Sequence, residues 1–294
     1  MSAPWPEIPY ETWRETCSAL HLYAQIVGKY RLARTPWVNH SWHATLYVDA
    51  RGLTTSLVPD AAGIEIVLNL REHVLSGRAA DGRTAGFPLG PMSVREFHFR
   101  FLETVAWLGG APELDGRPNE LPDPIPFRDD RLTRPYDADA VERFFHALIA
   151  ISRVLFRFRT GYIGKVSPVH LFWGSFDLAV TRFSGRRAPE RPEADAITRE
   201  AYSHEVSSAG FWPGGGDIPA PAFYSYAAPE PPGFAQMPIR PQAANYHPLM
   251  KEFLLMYDDV RTADSPKTAL LEFLQSTYDA AADTGHWDRK ALER

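Results

Sequence analysis

Val38-Asn-His-Ser-Trp-His-Ala-Thr-Leu46 and Pro168-Val-His-Leu-Phe-Trp-Gly-Ser-Phe176 align without a gap. His40 falls on His170, Trp42 on Phe172, Ala44 on Gly174 and Leu46 on Phe176. Each stretch reads as an aromatic strand that carries a histidine. Each follows a Gly-Lys turn after a helix, Ile26-Val-Gly-Lys29 in one case and Tyr162-Ile-Gly-Lys165 in the other. Both halves run helix, His-bearing strand, further strands, closing helix. The strands lack the helix after every strand that a parallel sheet requires, so the expected fold is α+β. It consists of two pseudo-repeated lobes, each a mainly antiparallel sheet with flanking helices, fused into one unit.

Four helices carry apolar stripes. Trp13, Cys17, Leu20, Ala24 and Val27 are spaced for one face of a helix over 11–27, with Gly28 as its C-cap. Ser93 and Glu96 form a capping box for 93–108. Asp137 caps 137–158, and Ser265 with Pro266 opens 265–283. Strands are expected over 42–48, 64–70, 172–181, 222–227 and 253–257. The first lobe is then 1–110 and the second 136–294, joined by the Pro-rich connection 111–135. Residues 186–248 are rich in Pro and Gly yet full of aromatics, which reads as an ordered wrap over the second lobe.

Composition narrows the function. The chain has 294 residues, 45% hydrophobic and 13% aromatic, enough for a large core. With 31 basic and 36 acidic residues the net charge is −5, which disfavours general nucleic-acid binding. The single cysteine, Cys17, excludes internal disulfides and cysteine-based metal clusters, and its helical stripe makes it a buried apolar residue. There is no basic, apolar leader at the start and no run of 18 apolar residues, so a cytoplasmic protein with no membrane partner is expected. Gly214-Gly-Gly216 follows Trp-Pro and lacks the Lys of a P-loop. No dinucleotide fingerprint or nucleophile elbow is present.

Two stretches carry chemistry. Between Ser152 and Arg187 seven basic residues face one acid, Asp177, a field suited to a small anion. Lys165, Arg182 and Arg186 are the expected anion holders. The solvated or paired alternative covers Arg153, Arg157 and Arg159, with Asp177 bound to Arg182. The second stretch, 200–214, groups Glu200, Tyr202, His204 and Glu205 ahead of Phe211-Trp-Pro-Gly214. Histidine with carboxylate suits acid–base work or a borderline metal. On a strand His40 and His43 face opposite ways, so only His40 joins His170. The candidate catalytic set is His170, His204, Glu205 and Asp177. Trp173, Tyr202 and Trp212 would contact substrate, and His40, His170 and His204 could hold Zn, Fe or Mn. The alternative for each histidine is a buried imidazole bonded to its neighbours.

The chain resembles a bacterial family catalogued as domain of unknown function 5996. The resemblance rests on Gln25-Ile-Val-Gly-Lys29, Asn39-His40 with Trp42-His43, and Gly52-Leu-Thr-Thr55. It also rests on 164–186, 200–214, Phe273-Leu-Gln-Ser-Thr-Tyr278 and Trp287-Asp-Arg289. It covers nearly the whole chain and implies a single full-length, soluble bacterial module. It implies no activity. Asn69-Leu70 stands where the resemblance leads one to expect Asp-Phe, which puts any role for an acid there in doubt. Three functions follow from the residues: an enzyme for a small anionic substrate between the lobes, a binding protein with an aromatic-lined cavity, or an interaction module that docks through Phe211 and Trp212.

Overall fold

Each half opens with a long helix that leads into antiparallel strands in the computed structural model, which describes residues 5–194, 196–216 and 218–294. Helix α1 (Tyr10–Arg34) leads into β1 (Tyr47–Val48), β2 (Gly52–Thr54), β3 (Ile64–Asn69), β4 (Val74–Ala79) and β5 (Thr84–Pro88). These pair in sequence order as a five-stranded antiparallel sheet. β6 (Met92–Ser93) pairs with β7 (Thr133–Arg134) and flanks α2 (Val94–Trp107). The second half opens with α3 (Ala138–Thr160). β8 (His170–Phe172), β9 (Asp177–Arg187), α4 (Ala196–Ala201), β10 (His204–Trp212) and β11 (Ala222–Ala228) follow. β12 (Asn245–His247), β13 (Glu252–Met256), α5 (Tyr257–Arg261), α6 (Pro266–Thr284) and α7 (Arg289–Leu292) complete the chain. The six-stranded sheet has the order β12-β13-β11-β10-β9-β8, antiparallel throughout. The fold is therefore mixed α+β.

The two sheets meet edge to edge. Leu46 and Leu171 exchange both backbone hydrogen bonds, at 2.9 and 2.8 Å, beside β1 on one side and within β8 on the other. Buried apolar side chains form one continuous cluster from Ile8 to Trp287, so the halves share a single core. One face of the six-stranded sheet contributes Leu178, Val180, Ala209, Phe211, Phe223 and Leu255 to that core. Strand alternation sends their neighbours to the opposite face, which is the face that matters for function.

Several expectations need correction. Helix α1 does not stop at Gly28. It continues to Arg34, and Gly28 serves instead as a close contact with Trp173, where a Cβ would sit 2.0 Å from the indole Cδ1. Residues 42–48 are not one strand. Asn39–Ser41 form a short 3₁₀ turn with His40 at φ 58°, and pairing begins only near Tyr47. The span 172–181 is two strands, β8 and β9, separated by a turn. The supposed wrap 186–248 contains β10 and β11, which are central strands. Their small residues look loop-like, yet they are what large neighbours require. A Cβ on Gly210 would lie 2.6 Å from the Tyr224 hydroxyl oxygen.

The connection 111–135 is anchored rather than free. Lys29, 3% exposed, donates to Asp115 at 2.7 Å and to the Asn119 side chain. The Gln25 amide donates to the Asn119 carbonyl at 3.0 Å and accepts from its N–H at 2.8 Å. Gln25-Ile-Val-Gly-Lys29 is thus a helix segment that fixes both the connection and Trp173.

Candidate functional site

Alternation along β9, β10, β11 and β13 puts one set of side chains on the open face of the sheet: Asp177, Ala179, Thr181 and Phe183, then Val206 and Ser208, then Tyr224 and Tyr226, then Glu252 and Leu254. The 3₁₀ turn at His40, helix α4 and Glu120 from the connection stand over this face. They enclose a cleft of about 400 Å³ that His170 and Phe172 also line. A second hollow of about 260 Å³ adjoins it and shares Ser175, Asp177, Tyr202, Tyr224 and Tyr226, with Trp212, Met250 and Glu252 at its outer end. The size suits a small organic ligand.

Two neutral imidazoles stand in the inner wall. The His170 Nδ1 lies 2.7 Å from the Pro168 carbonyl, and a carbonyl only accepts, so Nδ1 carries the proton. The same reasoning places the His40 proton on Nδ1, 3.1 Å from the Glu200 carbonyl. Both rings therefore present Nε2 as an acceptor. Burial pulls the His170 pKa down to about 4. Burial, then Lys165, lowers that of His40. His40 is 3% exposed, and its Nε2 is buried with no hydrogen-bond partner. Glu200 holds it from a second side by accepting from its backbone N–H at 3.0 Å. His40 and Ser41 both have left-handed φ, 58° and 59°, conformations that side-chain-bearing residues adopt at a cost of about 1–3 kcal/mol each.

The middle of the cleft is a network of hydroxyls and carboxyls. Thr181 and Ser208 share a hydrogen bond of 2.9 Å, as do the hydroxyls of Tyr202 and Tyr226. Ser175 donates to Asp177 at 2.6 Å, and the Tyr224 hydroxyl donates to its other oxygen. Burial raises the Asp177 pKa against these two donors. Burial, with the Asp177 charge nearby, pushes Glu252 up to about 7.

The expected site residues separate into two groups. His40, His170, Asp177 and Tyr202 line the cleft, and Trp212 lines its outer hollow. His204 lies beside His40, with ring centroids 5.5 Å apart. Lys165 stands over the rings of Trp42 and Phe183, at 5.8 and 5.3 Å. The rest face elsewhere. Arg182 points to the helical side, 2% exposed, with its guanidinium over Phe158 at 3.5 Å and Tyr278 at 4.2 Å, and it donates to the Phe158 carbonyl. It neither pairs with Asp177 nor reaches the cleft. Glu205 accepts from Ser184 and Arg186, both at 2.8 Å, and Arg186 continues to the Gly285 carbonyl. Together these two fasten β9 and β10 to the end of α6. Trp173 is buried, and its indole donates to the Ala44 carbonyl at 2.7 Å.

Among the described residues no group of three or more His, Cys, Asp or Glu side chains is placed to hold a metal ion. Sequence reasoning missed Thr181, Ser208, Tyr224, Tyr226, Glu252 and Glu120. The alternation Ala222-Phe-Tyr-Ser-Tyr226 held the signal for the tyrosines, since a strand puts both on one face. Nothing local marked Glu120 or Glu252.

The fold and cleft define an α+β protein with a hollow between one face of an antiparallel sheet and the segments that stand over it. The chain belongs to the family of unknown function DUF5996, whose model matches residues 5–294. No curated protein and no solved structure matches the chain significantly. Among the described residues no helix is long and apolar enough to cross a membrane.

Proposed function

We propose that the chain binds a small organic molecule in the cleft over the six-stranded sheet, and that this ligand brings hydrogen-bond donors. One observation carries the proposal: His40 lines the cleft, and its buried Nε2 has no hydrogen-bond partner among the described residues. An acceptor left unmade in the interior costs about 1–3 kcal/mol, and a ligand O–H or N–H supplies the missing bond. His170 offers a second acceptor of the same tautomer. Among the described residues the linings of both hollows hold Glu120, Asp177 and Glu252 and no Lys or Arg, so the small-anion expectation has no support there.

The test is a thermal-shift screen of neutral, cationic and anionic metabolites against the native chain and Ala179→Phe. Ala179 lies in the cleft floor opposite His170, so a phenyl group there fills the hollow. Ligands that stabilise the native chain and lose their effect in the filled variant support the proposal. Ligands that act equally on both refute it.

Catalysis in the same cleft is a second reading, favoured by Glu252. A carboxyl held near 7 is matched to proton transfer at neutral pH. Turnover of a screened ligand by the native chain and not by Glu252→Gln is the outcome this reading expects.

A further inference from the structure

The outer hollow differs in chemistry from the inner wall. Its sides are aromatic: Tyr202, Tyr224 and Tyr226, with Trp212 at the mouth. Tyr224 and Tyr226 lie nearly parallel, centroids 6.1 Å apart at 15°. Their hydroxyls are already engaged, Tyr224 with Asp177 and Tyr226 with Tyr202, so ring surface is what remains for a ligand. The carboxyl of Glu252 lines the same hollow, and none of the described residues gives it a hydrogen bond or an ion pair. Asp177 receives two hydroxyl donors and, among the described residues, no cation. Arg191 stands 4.3 Å over the Tyr202 ring, outside the lining, so one of these rings already accepts a cation.

Aromatic faces attract cations through the negative side of the ring, most strongly where water is excluded. Two carboxyls without a basic partner add charge of the same preference. An anion would meet both carboxyls, and a purely apolar group would cover the half-buried Glu252 without matching it. We infer that this end of the cleft receives an organic cation, an ammonium group held against the tyrosine and tryptophan rings beside Asp177 and Glu252. This rests on the cleft being a ligand site. It adds that the ligand is an amine or quaternary ammonium compound whose uncharged portion extends toward His40 and His170.

The experiment compares choline with its neutral isostere 3,3-dimethylbutan-1-ol by titration calorimetry. The two have the same shape and differ in one charge. The native chain is expected to prefer choline by about tenfold or more, since desolvated cation–aromatic attraction reaches that size. Glu252→Gln keeps volume and removes the charge. It is expected to bring the two affinities within about threefold of each other while leaving the neutral probe unchanged. Equal binding of both probes by the native chain overturns the cation assignment and leaves the ligand cleft standing. A preference for choline that survives in Glu252→Gln overturns its placement at this end. Binding of neither probe at millimolar concentration also overturns the assignment, and the cleft is then judged by Ala179→Phe alone.

Discussion

Replacing Gly28 by alanine puts the packing of α1 on β8 to a quantitative test. In an exposed helix the change would stabilise, because glycine is the poorer helix former by about 1 kcal/mol. Here the new methyl would lie 2.0 Å from the Cδ1 of Trp173 and 2.3 Å from its Nε1. The ring is 4% exposed and tied to the Ala44 carbonyl, so it has little room to retreat. Overpacking costs about 1–3 kcal/mol and loss of the buried indole hydrogen bond about 1–3 more, so the expected net loss is about 3 kcal/mol. Urea unfolding followed by circular dichroism reads this as a lower midpoint at unchanged slope. A double-mutant cycle isolates the cause. Trp173→Ala removes all three ring atoms that clash, Cγ, Cδ1 and Nε1, so Gly28→Ala should cost clearly less in that background. A midpoint that stays put or rises in Gly28→Ala would refute the packing and restore Gly28 to the role of a terminal residue.

Other outcomes follow from burial and charge. His170 has a folded pKa of about 4 against 6.5 unfolded, so the unfolded chain binds more protons between those values. Stability is complete above about pH 6.5 and falls by about 3 kcal/mol as pH drops to about 4, a slope that His170→Gln should reduce in denaturation series. Glu252 has the opposite sign, because its folded pKa of about 7 exceeds its unfolded value. Its contribution is complete below about pH 4.5 and lost as pH rises through 7, so Glu252→Gln should raise the melting temperature at about pH 8 and leave it unchanged at about pH 4. Arg182 has its pKa drawn down to about 10, chiefly by burial, and it faces away from the cleft. Arg182→Met should stay within about 1.5 kcal/mol of the native chain and leave the affinity of any cleft ligand unchanged by calorimetry. A loss of affinity there would restore the expectation that Arg182 holds a ligand.

What the sequence discloses depends on how locally each element is determined. Helices α2 and α3 are legible because their caps are local. Ser93 accepts from the Glu96 N–H, and Asp137 accepts from the Ala140 N–H. Helix α6 begins at Pro266 as expected, though the Ser265 side chain bonds Thr268 and makes no cap. The end of α1 is not local. A glycine at that spacing signals a stop, and only Trp173, far along the chain, shows that it is a contact. β10 is hidden for a related reason. Val206-Ser-Ser-Ala-Gly210 has low strand propensity, and it forms a central strand because Tyr224 and Arg182 on neighbouring strands need small residues beside them. In the candidate site, His40, His170 and Asp177 stand out as residue types. Which basic residues turn inward is a matter of register, and a shift of one position sends Arg182 to the opposite side of the sheet from Thr181.

The anchoring of the connection by Gln25 and Lys29 decides how far the chain can be divided. Asn119, held on α1, sets the position of Glu120, and Glu120 stands in the wall of a cleft whose floor belongs to the second sheet. His40 and Trp42 reach the same wall from the first half, tied to the second by the hydrogen bonds between Leu46 and Leu171, by Glu200 on His40 and by the Trp173 indole on Ala44. The tandem order of helices and meanders suggests two separable pieces, but the hollow is completed only by segments from both. Residues 136–294 made alone would carry the floor and α4 and lack the part of the roof that His40, Trp42 and Glu120 supply.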